Sequence, residues 1–115
     1  MSADPTTEFE WLLALPATDR ARFLAALSHG LTVAIRVLCR QDAETREVLE
    51  AVCQLNEVHH RVAGYLAQIH ADNENTSWLL SVVSAVLEPE QPAVRLQARQ
   101  AWRFARAGYP STGAA

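Results

Sequence analysis

The sequence contains no lysine; all ten of its cations are arginine, set against 13 acids for a formal charge of −3. Alongside the abundant alanine, this reads as the composition of a GC-rich bacterial genome rather than a selected chemistry. The chain is also short of glycine (4), proline (5) and cysteine (2), which excludes collagen-like, low-complexity and disulfide-scaffold classes. No basic segment followed by an apolar core opens the chain, so a standard secretory signal is not expected and the cytoplasm is the expected compartment. The longest uncharged stretches, 23–35 and 75–87, are 13 residues each, short of the roughly 20 that span a bilayer. No membrane partner is expected.

Chemistry-bearing motifs are missing too. There is no nucleophile elbow, no glycine-rich phosphate loop, no metalloprotease helix and no Cys-x-x-Cys. No catalytic residue is therefore assigned, no cofactor is expected, and the expectation is a protein that is not an enzyme. Within 91–115 there is no acid at all and four arginines, whereas 1–90 carries every acid and a formal charge of −7.

What the chain does have is a hydrophobic half and enough length, 115 residues, to bury a core without a metal or disulfide staple. The periodicity predicts an all-α bundle of four main helices plus a short N-terminal one, in a single domain over 1–108 followed by a loose tail, 109–115. Asp4 caps a first helix that Pro5 opens and Pro16 ends near Leu15. Thr18 caps a second, running to about Arg40, with Phe23, Leu24, Leu27, Leu31, Ala34, Ile35 and Leu38 on one stripe. That stripe keeps phase across Gly30, which reads as a point of close packing.

Asp42 is expected to cap a third helix, with Glu44 and Glu47 in its first turns and its end at His70. Its main stripe is Val48, Val52, Leu55, His59, Val62, Leu66 and Ile69. A second, weakly polar stripe holds Leu49, Cys53, Asn56, His60, Gly64 and Ala67. The second and third helices should pair as an antiparallel hairpin. Asn75 or Thr76 caps a fourth helix that is apolar in almost every direction from Trp78 to Leu87, and so is expected to be buried. Pro92 opens a fifth, ending at Gly108, with Val94, Ala98, Ala101, Trp102 and Ala105 inward and Arg95, Arg99, Arg103 and Arg106 forming a basic ridge outside.

In that hairpin Cys39 and Cys53 are offset by about 13 Å along the helix axes, beyond disulfide reach, so both are expected to be free and buried. Glu57 and His60 have Glu-x-x-His spacing, but Glu57 pairs naturally with Arg61, and the further inward carboxylates of a di-metal site are missing. No metal site is assigned. His59 lies on the apolar stripe and needs a hydrogen-bond partner, a backbone carbonyl or nearby polar side chain. His29 and His70 belong to exposed positions.

The leading functional expectation is a protein-protein interaction or oligomerisation module, a homodimer joined through the fourth helix and the stripe of Asn56, His60 and Gly64. A pocket between the third and fourth helices, lined by Asn56, His59, His60 and Trp78, is the alternative, implying a small-molecule regulator. Nucleic-acid binding through Arg95, Arg99, Arg103 and Arg106 ranks third, because the chain as a whole is acidic.

Overall fold

In the computed structural model residues 4–40 and 45–108 are described, and they form five α-helices with no strand among them. These are α1 (Pro5–Ala14), α2 (Ala17–Cys39), α3 (Arg46–His70), α4 (Leu79–Leu87) and α5 (Pro92–Arg106). The all-α bundle and the α2–α3 pairing expected from the sequence are both present, and α2 is the central element, packing most extensively on α3 and α5. The 109–115 tail lies outside the described residues.

Each boundary has a local cause. The Asp4 carboxylate accepts hydrogen bonds from the Thr7 amide (3.4 Å) and hydroxyl (2.9 Å), and Pro5 stands at the first helical position. Leu15, preceding Pro16, is extended (φ −74°, ψ 147°), which ends α1 as expected. Here two caps differ from the sequence reading. Pro16 is itself the N-cap of α2, leaving Thr18 inside the helix without a capping role. The cap of α3 is Thr45, whose hydroxyl accepts from the Val48 amide at 3.3 Å; Asp42 and Glu44 lie outside the described residues.

The C-terminus of α3 closes with Asp72 in the left-handed region, φ 55°. The Asn73 amide donates to the Gln68 carbonyl at 3.0 Å and the Asp72 amide to the Ile69 carbonyl at 3.0 Å. This is the paired pattern usually built around glycine. Asn75 then accepts from the Ser77 amide (3.1 Å) and hydroxyl (2.6 Å), starting a 3-10 turn, Thr76–Trp78, ahead of α4.

The core runs through all five helices, with Leu12, Phe23, Leu24, Leu55, Val83 and Trp102 among its most buried members. Each such side chain is worth about 1.5–3 kcal/mol of transfer free energy. Phe23 sits edge-on between Trp11 (centroids 5.0 Å, 80°) and Trp102 (4.8 Å, 72°), joining α1, α2 and α5. A Cβ at Gly30 would lie 3.1 Å from the Ala101 Cβ, so the close-packing role expected of that glycine is what lets α2 and α5 approach.

Burial on α3 is rotated from the expected stripe. Ala51, Leu55, Val58, Val62 and Tyr65 are buried, whereas Val52, His59, Leu66 and Ile69 are only partly so. The cause is that α3 packs on α4 and α5 as well as α2, which draws its inner face toward Val58 and Tyr65. The expectation that α4 is buried all round is also corrected. Leu79, Val82, Val83, Val86 and Leu87 are covered, by α1, α3 and α5, but Trp78 is 54% and Leu80 41% exposed. By length and composition the 23 residues of α2 are apolar enough to cross a membrane, although they contain charges; Phe23, Leu24, Leu27, Leu31, Ala34 and Leu38 of this helix are buried in the core.

Candidate functional site

The four residues expected around one α3–α4 pocket are not gathered there. His59 turns toward α2, where its Nε2 lies 3.0 Å from the Ser28 Oγ and 3.2 Å from the Thr32 Oγ1. Thr32 donates its own hydroxyl proton to the Ser28 carbonyl at 3.0 Å. The cluster is thus a polar seam between α2 and α3, and the partner His59 needed is a pair of hydroxyls.

Asn56, His60 and Gly64 are exposed, as are Leu49, Cys53 and Ala67, so the whole weakly polar stripe forms the solvent face of α3. The Asn56 amide donates to the Val52 carbonyl at 3.1 Å within its own helix. Between α3 and α4 there is a groove of about 490 Å³, but its walls are Gln54, Glu57, Val58, Arg61, Ser81 and Ser84, with 88–90 at one end. Glu57 pairs with Arg61 at 3.6 Å. No group of three or more His, Cys, Asp or Glu side chains able to hold a metal ion occurs among the described residues. Cys39 and Cys53 are free, but both are exposed, correcting the expectation of buried thiols. His29 and His70 are exposed.

The basic ridge is largely consumed within the fold. Arg95 donates to the Pro89 carbonyl (2.9 and 3.1 Å) and the Glu90 carbonyl (3.1 Å), and Arg99 to the Leu87 carbonyl at 2.6 Å. Both therefore satisfy carbonyls at the α4 end and the turn after it. Arg106 pairs with Glu8 at 3.3 Å and lies 3.7 Å over the Trp11 ring, while the same Glu8 accepts from the Trp102 indole at 3.0 Å. Only Arg103 of the four is exposed without a partner among the described residues, so they do not form a row of free guanidinium groups for phosphates.

A buried polar network joins α1, α2, α3 and the turn before α4. Arg20, 6% exposed, donates to both oxygens of Glu74 (2.7 and 2.8 Å) and to the Leu12 and Leu15 carbonyls (3.1 and 2.6 Å), closing the open end of α1. Tyr65 donates its hydroxyl to Glu74 at 2.7 Å. The guanidinium contact holds the Glu74 carboxyl below its usual range, and burial, with Glu74 beside it, pushes the Tyr65 phenol up. These residues were missed in the sequence, although Arg20 falls three and four positions before Phe23 and Leu24 on the inward stripe. The network ties α1, α2, α3 and the turn before α4 together.

The most apolar open concavity described is instead a groove of about 330 Å³ between α2 and α5. Val33, Ala34 and Val37 line it from α2, and Ala101 and Phe104 from α5, with His29, Gln97 and Gln100 as its polar members. Val33 and Val37 are 43% and 47% exposed and Phe104 is 80% exposed. The signal was legible: two valines interrupt the otherwise polar side of the second helix. Comparison with protein-family models, with curated proteins and with solved structures finds no match for the chain.

Proposed function

We propose that this protein is a non-enzymatic helical interaction module, and that the α2–α5 groove receives an α-helix of a partner polypeptide. The observation that carries this reading is Phe104, the most exposed large hydrophobic side chain among the described residues, standing on the rim of a groove whose apolar walls are valine and alanine, with His29, Gln97 and Gln100 as its polar members. Aromatic anchors beside apolar walls are the usual centres of helix-in-groove binding. A channel between two packed helices also matches the shape of a third helix laid over them. No titratable group other than His29 lines the groove.

Selection from a displayed library of helical peptides, unbiased in charge, tests the reading. The expected binders shift the amide resonances of Val33, Val37, Gln100 and Phe104 and lose affinity for Phe104→Ala, a change at an exposed position that leaves the fold intact. Binders mapping to the outer face of α3 around Asn56, His60 and Gly64, or a library without binders, would overturn it. So would a groove already closed by a second copy, seen as a dimer in sedimentation equilibrium that Phe104→Asp dissociates.

A further inference from the structure

The α2–α5 groove has a one-sided electrostatic frame. Its lining holds no acid and no arginine. On α2, Arg36 lies between Val33 and Val37 along the exposed side, Arg40 follows one turn beyond, and Arg22 precedes along the same side. On α5, Arg103 adjoins Phe104 and stands one turn from Gln100. All four arginines are exposed and have no ion-pair or hydrogen-bond partner among the described residues, unlike Arg20, Arg61, Arg95, Arg99 and Arg106, each of which is engaged.

Acids are nearly absent from these two helices. Between them α2 and α5 contain a single one, Asp19, in the first turn of α2, ten residues before the groove begins at His29 and one turn before Arg22. Among the described residues the exposed acids lie elsewhere: Asp4 and Glu10 at α1, Glu47, Glu50 and Glu57 on α3, Asp72 after α3, and Glu88 and Glu90 beside α4. A chain of net charge −3 thus presents an arginine-flanked apolar channel.

From this arrangement we infer that the helix docked in the groove is amphipathic and acidic: an apolar ridge seated between Val33, Val37 and Phe104, with carboxylates along its flanks facing Arg36, Arg40 and Arg103. This rests on the docking reading above and specifies the partner's chemistry. Guanidinium groups favour carboxylates because their planar donors match both oxygens. The apolar floor favours a polypeptide over a phosphate backbone, which would leave Val33, Val37 and Phe104 in water. A basic helix would bring like charges together along the channel.

Three synthetic helical peptides with the same leucine and alanine ridge, and flanks of glutamate, glutamine or lysine, separate the possibilities by fluorescence anisotropy at low and high salt. The glutamate peptide is expected to bind about tenfold more tightly than the glutamine one, as a few exposed ion pairs would give. The lysine peptide should bind weakest, and 0.5 M salt should erase the difference, as the Debye length falls to about 4 Å. Combined Arg36→Gln, Arg40→Gln and Arg103→Gln should remove the glutamate preference while the glutamine peptide binds as before, and Phe104→Ala should weaken all three. Equal binding of the glutamate and glutamine peptides would overturn the acidic partner and leave docking intact, whereas no binding by any peptide would overturn docking itself. Arginine-dependent binding to phosphatidylglycerol vesicles or duplex DNA, without peptide binding, would also overturn it.

Discussion

Glu74 reaches Arg20 across 54 residues of sequence and grips it with both carboxylate oxygens, at 2.7 and 2.8 Å. The pair is shielded from water, Arg20 almost completely. Its value lies less in the attraction itself than in what removal of one partner would strand: Arg20 would keep its charge, and Tyr65 would lose its acceptor. Glu74→Ala is therefore expected to cost about 3–5 kcal/mol, the usual penalty for breaking a buried pair. Replacing both residues, Arg20→Met with Glu74→Leu, should cost less than the two single changes together, read as a double-mutant cycle in urea denaturation.

The same pair sets a pH dependence. The Glu74 carboxyl is depressed from its ordinary value of 4.5 by the Arg20 contact, so the folded state binds this proton less readily than the unfolded one. Its stabilisation is complete above about pH 4.5, the unfolded value, and is lost as the pH falls through the lower folded value. Tyr65 acts at the other limit: its phenol is raised above the ordinary 10.0, so its contribution is complete below that pH and is lost as the pH rises beyond it. Stability measured against pH should fall at both ends. Glu74→Gln should flatten the acid limb, and Tyr65→Phe the alkaline one.

Asp72 occupies a left-handed conformation, φ 55°, that glycine adopts without a Cβ penalty. Its exposed side chain takes part in no hydrogen bond among the described residues. Asp72→Gly is expected to stabilise the protein by up to about 1 kcal/mol, and Asp72→Val to destabilise it, both read from the thermal midpoint.

Gly30 offers a contest between helix propensity and space. Alanine would gain about 1 kcal/mol of propensity, but its methyl would meet the Ala101 Cβ at 3.1 Å. Gly30→Ala should be close to neutral, whereas Gly30→Val, adding bulk against α5, should destabilise by about 1–3 kcal/mol. Gly64 provides the control: a Cβ there meets nothing within 4 Å, so Gly64→Ala should be stabilising.

The thiols give a direct check on exposure. Cys39 and Cys53 are both free at the surface, and each should react with a thiol reagent in the native protein, with two equivalents consumed before any unfolding agent is added.

The helices were legible because their signals are local. Apolar spacing, Pro5 and Pro92 at first helical positions and Gly30 within an unbroken stripe are properties of a few consecutive residues. The inward set of the last helix, Val94, Ala98, Ala101, Trp102 and Ala105, is buried as its spacing implies. What escaped depends on how distant elements meet. Glu74 sits in a connection, and nothing local says that Arg20 will reach it, nor that Arg95 and Arg99 will be met by carbonyls of the preceding turn and Arg106 by Glu8. His59 could be recognised as needing a partner, but not that Ser28 and Thr32 would supply it. The α2–α5 groove was missed for the same reason: the valines at 33 and 37 are visible in sequence, while the side of α2 that α5 leaves open is decided by docking.

Glu8 clasps Trp102 94 residues downstream, and Arg20 gathers the carbonyls at the other end of the same short helix. Helix α1 is therefore a buckle fastened at both ends, joining the beginning of the described chain to its last helix. Prying it loose would unseat Trp102 and uncover α4 together, so the two extremities share one opening equilibrium. Amide exchange in α1 and at the Trp102 turn should slow or quicken in step, and folding of a nascent chain should wait for α5 before the fastening can close.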